Sequence, residues 1–510
     1  MCRRKAQKRS PAVLPLFIAV PLIFAGVLAA VTNSPRFQAV SAFAVTSAST
    51  LGGIALVIAL SDSTPIAHGV GLWPFGIAIP LAADMFTALM LTVTGILTVT
   101  STWFAYASGV GSKPFFAPML LVLLAGVNGA LLTADLFNLF VFVEVMLLPS
   151  YGLFILSART RAPLTRITGV RLYVTLNLLT STILLMGIGF VYGTAGTVNI
   201  AQLAGAAKAD PTVAISAAIC LFALSIKAAI VPVYGWLARA YPATSPAVTA
   251  LFSGLHTKVA IYGIYRLYSV VFDGDARWLW VGVLLFSLTM VIGVLGAVGE
   301  STTRSILAFH MVSQIGYILL GVALFTEAGL TAGIFYLLHH MIVKASLFFS
   351  TGAIEVRYGT GKIGALRGIA RKEPLIAVAF FVAALSLAGI PPFSGFVAKL
   401  SLILASVDAG QIAAVAVMVG VSLITLLSML KIWAGVFWGK AEPDPTSGGG
   451  TATLEKTESR VSVRLAMPAV LLALVTTGLG LGAELLLSLS EIAALGLFDP
   501  TAYVAAVIGS

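Results

Sequence analysis

Charge is what this chain of 510 residues has little of: 10% of them are Asp, Glu, Lys or Arg, against roughly a quarter in a soluble globular domain. With 59% hydrophobic residues and a mean hydropathy of +1.04, a water-soluble fold is excluded and a polytopic membrane protein is implied. Cysteine is nearly absent. Cys2 and Cys220 form no CxxC pair, so neither an iron–sulfur cluster nor a structural zinc site is supported. A phosphate-cradling loop is missing as well: "YGTGKIG" has neither the leading glycine nor the Ser or Thr after the lysine that such a loop needs, which argues against energy from bound ATP. Acidic residues number 19 against 30 basic ones, yet the net charge of +11 does not point to nucleic acid, because the basic residues sort by topology.

Apolar runs long enough to cross a hydrocarbon core of roughly 30 Å recur along the whole chain. About fourteen are expected, near residues 11–31, 37–60, 81–107, 115–134, 136–158, 168–193, 212–237, 244–270, 278–299, 303–325, 329–353, 374–406, 409–438 and 461–489. The closing stretch "EIAALGLFDPTAYVAAVIGS", interrupted by Asp499-Pro500, reads as an interfacial segment. Most Lys and Arg fall in the odd-numbered loops, among them Arg159, Arg161, Arg166 and Arg171, then Arg357, Lys362, Arg367, Arg371 and Lys372, then Lys440, Lys456, Arg460 and Arg464. The positive-inside bias puts those loops in the cytoplasm and both termini outside. The basic tail "MCRRKAQKRS" disobeys, and with the apolar run behind it resembles a signal peptide; a poor cleavage site favours an uncleaved first helix.

No soluble domain interrupts the spans, and the Pro/Gly/Ser/Thr-rich "GKAEPDPTSGGGTATLEKTESRVS" reads as a linker. "GTVNIAQLAGAAKADP" after the sixth span and "GTGKIGALRGIARKEP" after the eleventh read as short interfacial helices five spans apart. The seventh and twelfth spans carry helix breaks, Pro232 in "SIKAAIVPVYGW" and Gly389, Pro391, Pro392 and Gly395 in "LSLAGIPPFSGFVAKL". Breaks at corresponding places are what an inverted duplication produces. The expected division is helices 1–3 in residues 1–110, a first five-helix repeat in 111–272, a second in 273–440, and the linker, the last helix and the interfacial segment in 441–510.

Against this apolar background the ionisable residues inside spans stand out, since each costs a few kcal/mol to insert. Glu144 lies in the fifth span, Lys227 in the seventh, Lys258 in the eighth, Lys344 in the eleventh and Lys399 in the twelfth, with His256, His310, His339 and His340 among them. A lysine near a helix end can snorkel to the interface, but Lys227 and Lys258 lie well inside and Glu144 is too short to do so. His340 and Lys344 are four apart and share a helix face, whereas His339 points elsewhere, and any one histidine is as readily a packing residue. His310 and Gln314 form a polar stripe. Asp84 and Asp135 fall at span edges and read as structural. Burial disfavours the charged form of acid and base alike while proximity favours both charged forms, so such groups can exchange protons. That the buried bases are lysines, and none is arginine, suits carriers better than a static ion pair.

These stretches resemble the antiporter-like subunits shared by Mrp cation/proton antiporters and respiratory complex I, and within them the MrpD branch. The matching strings are "ADLFNLFVFVEVMLLPSYGL", "LSIKAAIVPVYGWL", "HTKVAIYGIYRL", "ILAFHMVSQIGYILLG", "LHHMIVKASLFFSTGAI" and "LAGIPPFSGFVAKL". The resemblance implies an all-α membrane fold of fourteen helices with two inverted five-helix repeats and broken helices 7 and 12. It further implies a proton relay in which Glu144 and Lys227 form an ion pair, Lys258 connects, and His340 with Lys344 bridges to Lys399. Other Mrp subunits would be partners, protons and Na⁺ or another monovalent cation the cargo, a bacterial cell membrane the location, and no cofactor or metal would be needed. Lysine at 399 and the wording "DLFNLFVFVE" favour Mrp; "WLARAYPATSP" and His256 depart from the pattern. The competing readings are a proton-pumping subunit of a redox complex and a scaffold with inert buried pairs.

Overall fold

Helices in this chain begin where a short polar side chain can cap them and end where glycine or a left-handed residue lets the backbone turn. Asp84 accepts from the Thr87 amide at 2.9 Å to start one span, Thr302 and Thr326 start two others, and Gly359 at φ +78° ends the longer of these. In a membrane such caps matter because a helix must satisfy its own backbone. The structure, a computed structural model, describes residues 13–32, 34–62, 64–73, 78–156, 164–439 and 460–509. The basic tail, Arg159, Arg161, Lys440, Lys456 and most of the linker lie outside the described residues.

The elements run α1 (Leu16–Ala30), α2 (Pro35–Ala59), β1 (Ile66–Gly69), β2 (Pro80–Ala83), α3 (Met85–Ala107), α4 (Phe116–Leu132), α5 (Leu136–Leu156), α6 (Leu164–Ala195), α7 (Ala206–Ala209), α8 (Pro211–Ala228), α9 (Gly235–Ala240), α10 (Pro246–Val270), α11 (Leu279–Gly299), α12 (Thr303–Leu324), α13 (Glu327–Tyr358), α14 (Ile369–Lys372), α15 (Pro374–Ala388), α16 (Ser394–Asp408) and α17 (Ile412–Ile432). After the linker come α18 (Val463–Leu481), α19 (Ala483–Phe498) and α20 (Thr501–Ile508). The chain is thus an all-α polytopic membrane protein with one small hairpin, β1 antiparallel to β2, pairing Ile66 with Ala83.

Among the described residues, eleven helices are long and apolar enough to cross a membrane alone, or twelve if the bent pair α19–α20 is one span. The count of fourteen exceeds this because α1 and α4 are shorter apolar helices and the twelfth span is divided into α15 and α16. α10, α12 and α13 are buried almost throughout; α13 packs against α3, α10, α12, α15, α16, α18 and α19 and is the axis of the bundle. Both breaks form as expected. α8 ends at Ala229 in the left-handed region and resumes at Gly235, and α15 ends at Gly389, also left-handed, and resumes at Ser394. The interfacial helices are single turns, α7 and α14, each followed by a proline-initiated half-helix. Asp135 pairs with Asn199 across α5–α6, as Thr302 pairs with Lys362 across α12–α13.

Three expectations fail. Residues 80–83 form a strand rather than the start of a helix, with Asp84 as the cap that follows. The last helix does not stop at 489: only Gly482 separates α18 from α19, which continues to Phe498, where the Leu497 carbonyl accepts from Ser269. The closing stretch is therefore packed on protein, with Ala493, Ala494, Leu497 and Tyr503 buried and α20 against the hairpin. Finally, the buried bases include arginine: Arg266 in α10 and Arg304 at the start of α12 are both buried. Arg266 pairs with Asp84 at 2.7 Å under the Tyr503 ring, and Arg304 with Glu355 at 2.6 Å. Their partners stand far off in sequence, and both pairs are at helix ends, where they are structural.

Candidate functional site

A helix broken inside the bundle leaves carbonyls without intrahelical partners and a negative dipole end at depth. Both breaks put lysine there. Lys227 occupies the last turn of α8, fully buried, and donates to Asn177 Oδ1 at 3.3 Å. Around it, Trp236 Nε1 donates to the Ile226 carbonyl at 2.9 Å and the Val231 amide to Thr289 Oγ1 at 3.1 Å, so two of the backbone groups at the break find side-chain partners. Lys399 lies after the second break, on α16, and reaches back to donate to the Ala388 carbonyl at 2.8 Å, the last residue of α15. Its ammonium sits 5.4 Å from the centroid of the Tyr317 ring, an additional favourable contact for a cation.

Between them, Lys258 on α10 donates to Thr257 Oγ1 at 3.1 Å, and Lys344 on α13 to the Leu307 carbonyl of α12 at 3.0 Å. His340, one turn before Lys344, is buried with no protein partner on either ring nitrogen, and both Lys258 and Lys344 are close enough to act on it electrostatically. His310 binds Ser428 of α17 at 2.9 Å through Nε2 and leaves Nδ1 unpaired; Gln314, one turn on, accepts from Tyr336 at 2.5 Å. His339 belongs to the second break: its Nδ1 is 2.7 Å from Ser394 Oγ, and Ser394, Ser386 and Thr476 bond one another at 2.7 to 3.5 Å. His256 bridges Ser150 Oγ (2.9 Å from Nε2) and the Tyr173 hydroxyl (3.0 Å from Nδ1).

Glu144 stands on α5 with Oε1 buried and unpartnered. It acts on Lys227 electrostatically, yet among the described residues the two form no direct ion pair. Asp84 and Asp135 do cap α3 and α5, through the Thr87 and Asn138 amides. Asn177, Tyr173, Ser150, Ser394, Thr476 and Ser428 escaped the sequence reading. Tyr173 and Asn177, four apart in an otherwise apolar span, carried a signal; isolated serines and threonines in apolar helices did not. No group of three or more His, Cys, Asp or Glu able to hold a metal occurs among the described residues.

Ionisable side chains at membrane depth, enclosed by helices, define a class of polytopic membrane protein in which such residues mark ion or proton pathways. The family model "NADH:quinone oxidoreductase/Mrp antiporter, TM" matches residues 133–425, and the chain belongs to that family. It is 38% identical over 447 residues to the D-type subunit of the Na⁺/H⁺ antiporter of Alkalihalophilus pseudofirmus, covering 86% of this chain and 87% of that one, and 31% identical over 510 residues to its Bacillus subtilis counterpart, covering 98% of each. Among solved structures, it is similar to a chain of the Mrp complex from Dietzia sp., with TM-score 0.94 and 57% identity over 98% of this chain and 100% of that one. A chain of an archaeal membrane-bound sulfane sulfur reductase superposes with TM-score 0.86 at 25% identity, covering 97% and 99%.

Proposed function

We propose that the chain is the proton-translocating subunit of a multisubunit Na⁺/H⁺ (monovalent cation/proton) antiporter, a secondary transporter component rather than an enzyme. Relatives named as D-type subunits of Na⁺/H⁺ antiporters and the likeness to a chain of an Mrp complex support this reading. The observation that carries it is the series of buried groups from Glu144 through Lys227, Lys258, His340 and Lys344 to Lys399, which spans both broken helices within one bundle. Protons pass along this series, each lysine alternating between a charged form, steadied by a hydroxyl, carbonyl or amide oxygen, and a neutral form favoured by burial. The unpaired Glu144–Lys227 arrangement is one state of a switch that closes when the ammonium moves from Asn177 toward the carboxylate.

Fourteen crossings, two inverted five-helix units over 111–272 and 273–440, and both termini outside a bacterial cell membrane complete the proposal. The matched elements support the two units: a bridged residue before α5 and before α12, a single-turn helix, then a proline-initiated half-helix ending in a left-handed residue. Other Mrp subunits are the partners. The redox-complex reading rests on weaker likeness, 25% against 57% identity. The test is cation-driven proton exchange in everted vesicles of an antiporter-deficient host carrying the complete operon. Glu144→Ala and Lys227→Ala abolish exchange while the complex still assembles; undiminished exchange in either refutes the proposal.

A further inference from the structure

The proton axis leaves one polar cluster unexplained, and it faces a cleft. Between α6, α9, α12 and α13 lies a vestibule of about 870 Å³, lined among others by Gly169, Arg239, Ala243, Glu300, Arg304 and Glu355. It opens at the end of the bundle where the basic loops gather, the cytoplasmic end in the proposed orientation. Gly169, Tyr173 and Asn177 follow one another at four-residue steps along α6 and so share a face. Gly169 lines the vestibule; Tyr173 bonds His256; Asn177 bonds Lys227 through its side-chain oxygen and the Tyr173 carbonyl through its nitrogen at 2.8 Å. One helix face therefore leads from the cleft to His256 and to Lys227 side by side.

The hydrogen bonds around His256 have a direction. The Ser150 hydroxyl gives its single proton to the Met146 carbonyl at 2.6 Å, so its oxygen accepts from Nε2–H, and Nδ1 is left to accept the Tyr173 proton. In its neutral form the imidazole then turns its basic nitrogen toward the Tyr173 hydroxyl. Its other surroundings are the Phe252 ring at 4.3 Å and, as titratable neighbours of the cluster, Lys227 from α8, Tyr151 from α5 and Tyr241 after α9. Among the described residues no carboxylate bonds this histidine. A second positive charge so near a buried lysine is disfavoured in a medium of low dielectric.

We propose that His256, reached from the vestibule through Tyr173, is a proton-loading site whose charge expels the proton of Lys227 into the axis. The inference rests on the proton-translocating function proposed above. A proton arriving from vestibule water binds the Tyr173 oxygen as the hydroxyl proton of Tyr173 passes to His256 Nδ1, forming an imidazolium. Lys227, repelled, gives one proton to the axis. The imidazolium then gives its proton to the neutral Lys227 amine beside it, so His256 and Lys227 both return to their starting states and each cycle takes one proton from the vestibule and delivers one to the axis. Asn177 is a positioning residue that holds Lys227 within range of His256.

Tyr173→Phe, His256→Asn and the double variant test this in the intact complex, measured in everted vesicles whose medium bathes the cytoplasmic face. Each single variant is expected to slow cation-driven exchange roughly a hundredfold, the low end for a positioned proton carrier. The medium pH giving half-maximal exchange shifts equally in all three, and the double variant is no slower than either single one, as for two groups in series. Tyr173→Phe keeps the ring packing and carries the test should His256→Asn fail to assemble. Wild-type rates and pH profile in Tyr173→Phe, or slowing that multiplies in the double variant, overturns the inference. Glu144→Ala separates the two claims: if it is inactive while Tyr173→Phe behaves as wild type, only the loading site falls; if it is active, the underlying function falls.

Discussion

Gly389 offers a way to displace Lys399 without touching it. The residue ends α15 at φ +90°, and a Cβ built there would lie 2.7 Å from Lys399 Cδ and 3.4 Å from Cε, inside the stem that carries the ammonium to the Ala388 carbonyl. Gly389→Ala therefore has two costs. The left-handed backbone costs an L-residue about 1–2 kcal/mol. The contact falls on a flexible side chain, so Lys399 moves and its hydrogen bond is lost. Gly410 supplies the control: it too is left-handed, at φ +71°, but a Cβ there meets nothing within 4 Å. Gly410→Ala should lose about 1–2 kcal/mol of stability, and Gly389→Ala that much plus the hydrogen bond given up, about 1.5–3 kcal/mol for a charged donor, read as a larger drop in the melting midpoint of the detergent-purified complex. Only Gly389→Ala should lose exchange in everted vesicles. Equal exchange in the two variants refutes the claim that the Lys399–Ala388 contact is used in transport.

Gly480 packs where α18 meets the second break, and its Cβ would lie 2.3 Å from the Pro392 carbonyl and 2.6 Å from the Ser394 amide. Because those neighbours are backbone, Gly480→Ala should cost about 1–3 kcal/mol or more and impair assembly, whereas Gly478→Ala, with nothing within 4 Å, should be silent; co-purification of the complex and its melting midpoint check both. Asp84→Ala leaves Arg266 buried without its partner and should destabilise by about 3–5 kcal/mol, lowering the melting midpoint while the complex that survives keeps the wild-type pH profile of exchange. The Lys208–Asp273 pair is half exposed at 2.7 Å, so Lys208→Ala should shift stability by no more than about 1 kcal/mol in the same melting assay.

The spans, both breaks and the buried lysines are legible because each is a local departure from a long apolar pattern: one proline, one glycine or one charge in twenty apolar residues. What local pattern cannot carry is what stands opposite. Two adjacent helical residues do face different ways, so His339 and His340 part as the spacing requires; that one of them faces away from the site does not follow, because α13 is enclosed by helices on all sides. With no lipid face, both directions lead to polar partners, Ser394 for His339 and the lysines for His340. Arg266 is hidden for the same reason, since its partner Asp84 caps another helix. The closing segment has the amphiphilic sequence of an interfacial one, whereas the cover provided by Arg266, Ser269 and the hairpin makes it protein-packed.

The two breaks solve one electrostatic problem from opposite sides. A half-helix ending inside the bundle exposes carbonyls that attract a cation, and in a region without bulk water the attraction is strong. In α8 the lysine belongs to the half-helix itself, two residues before its left-handed end, and its ammonium reaches sideways to Asn177. In α16 the lysine lies beyond the break and reaches back to the terminal carbonyl of α15. The consequence is an asymmetry of function built from symmetric parts. Lys227 is held by a neutral side chain on a neighbouring helix, a partner that a small movement of α6 can withdraw; Lys399 is held by backbone that moves only if the break itself reshapes. Release at the first half can therefore be triggered by a local event such as charging His256, while release at the second requires a rearrangement around Gly389 and Pro391–Pro392. A cycle in which loading is local and discharge is conformational has its slow step at the second break, so substitutions there should lower the maximal exchange rate, and those around Asn177 should chiefly alter its dependence on cytoplasmic pH.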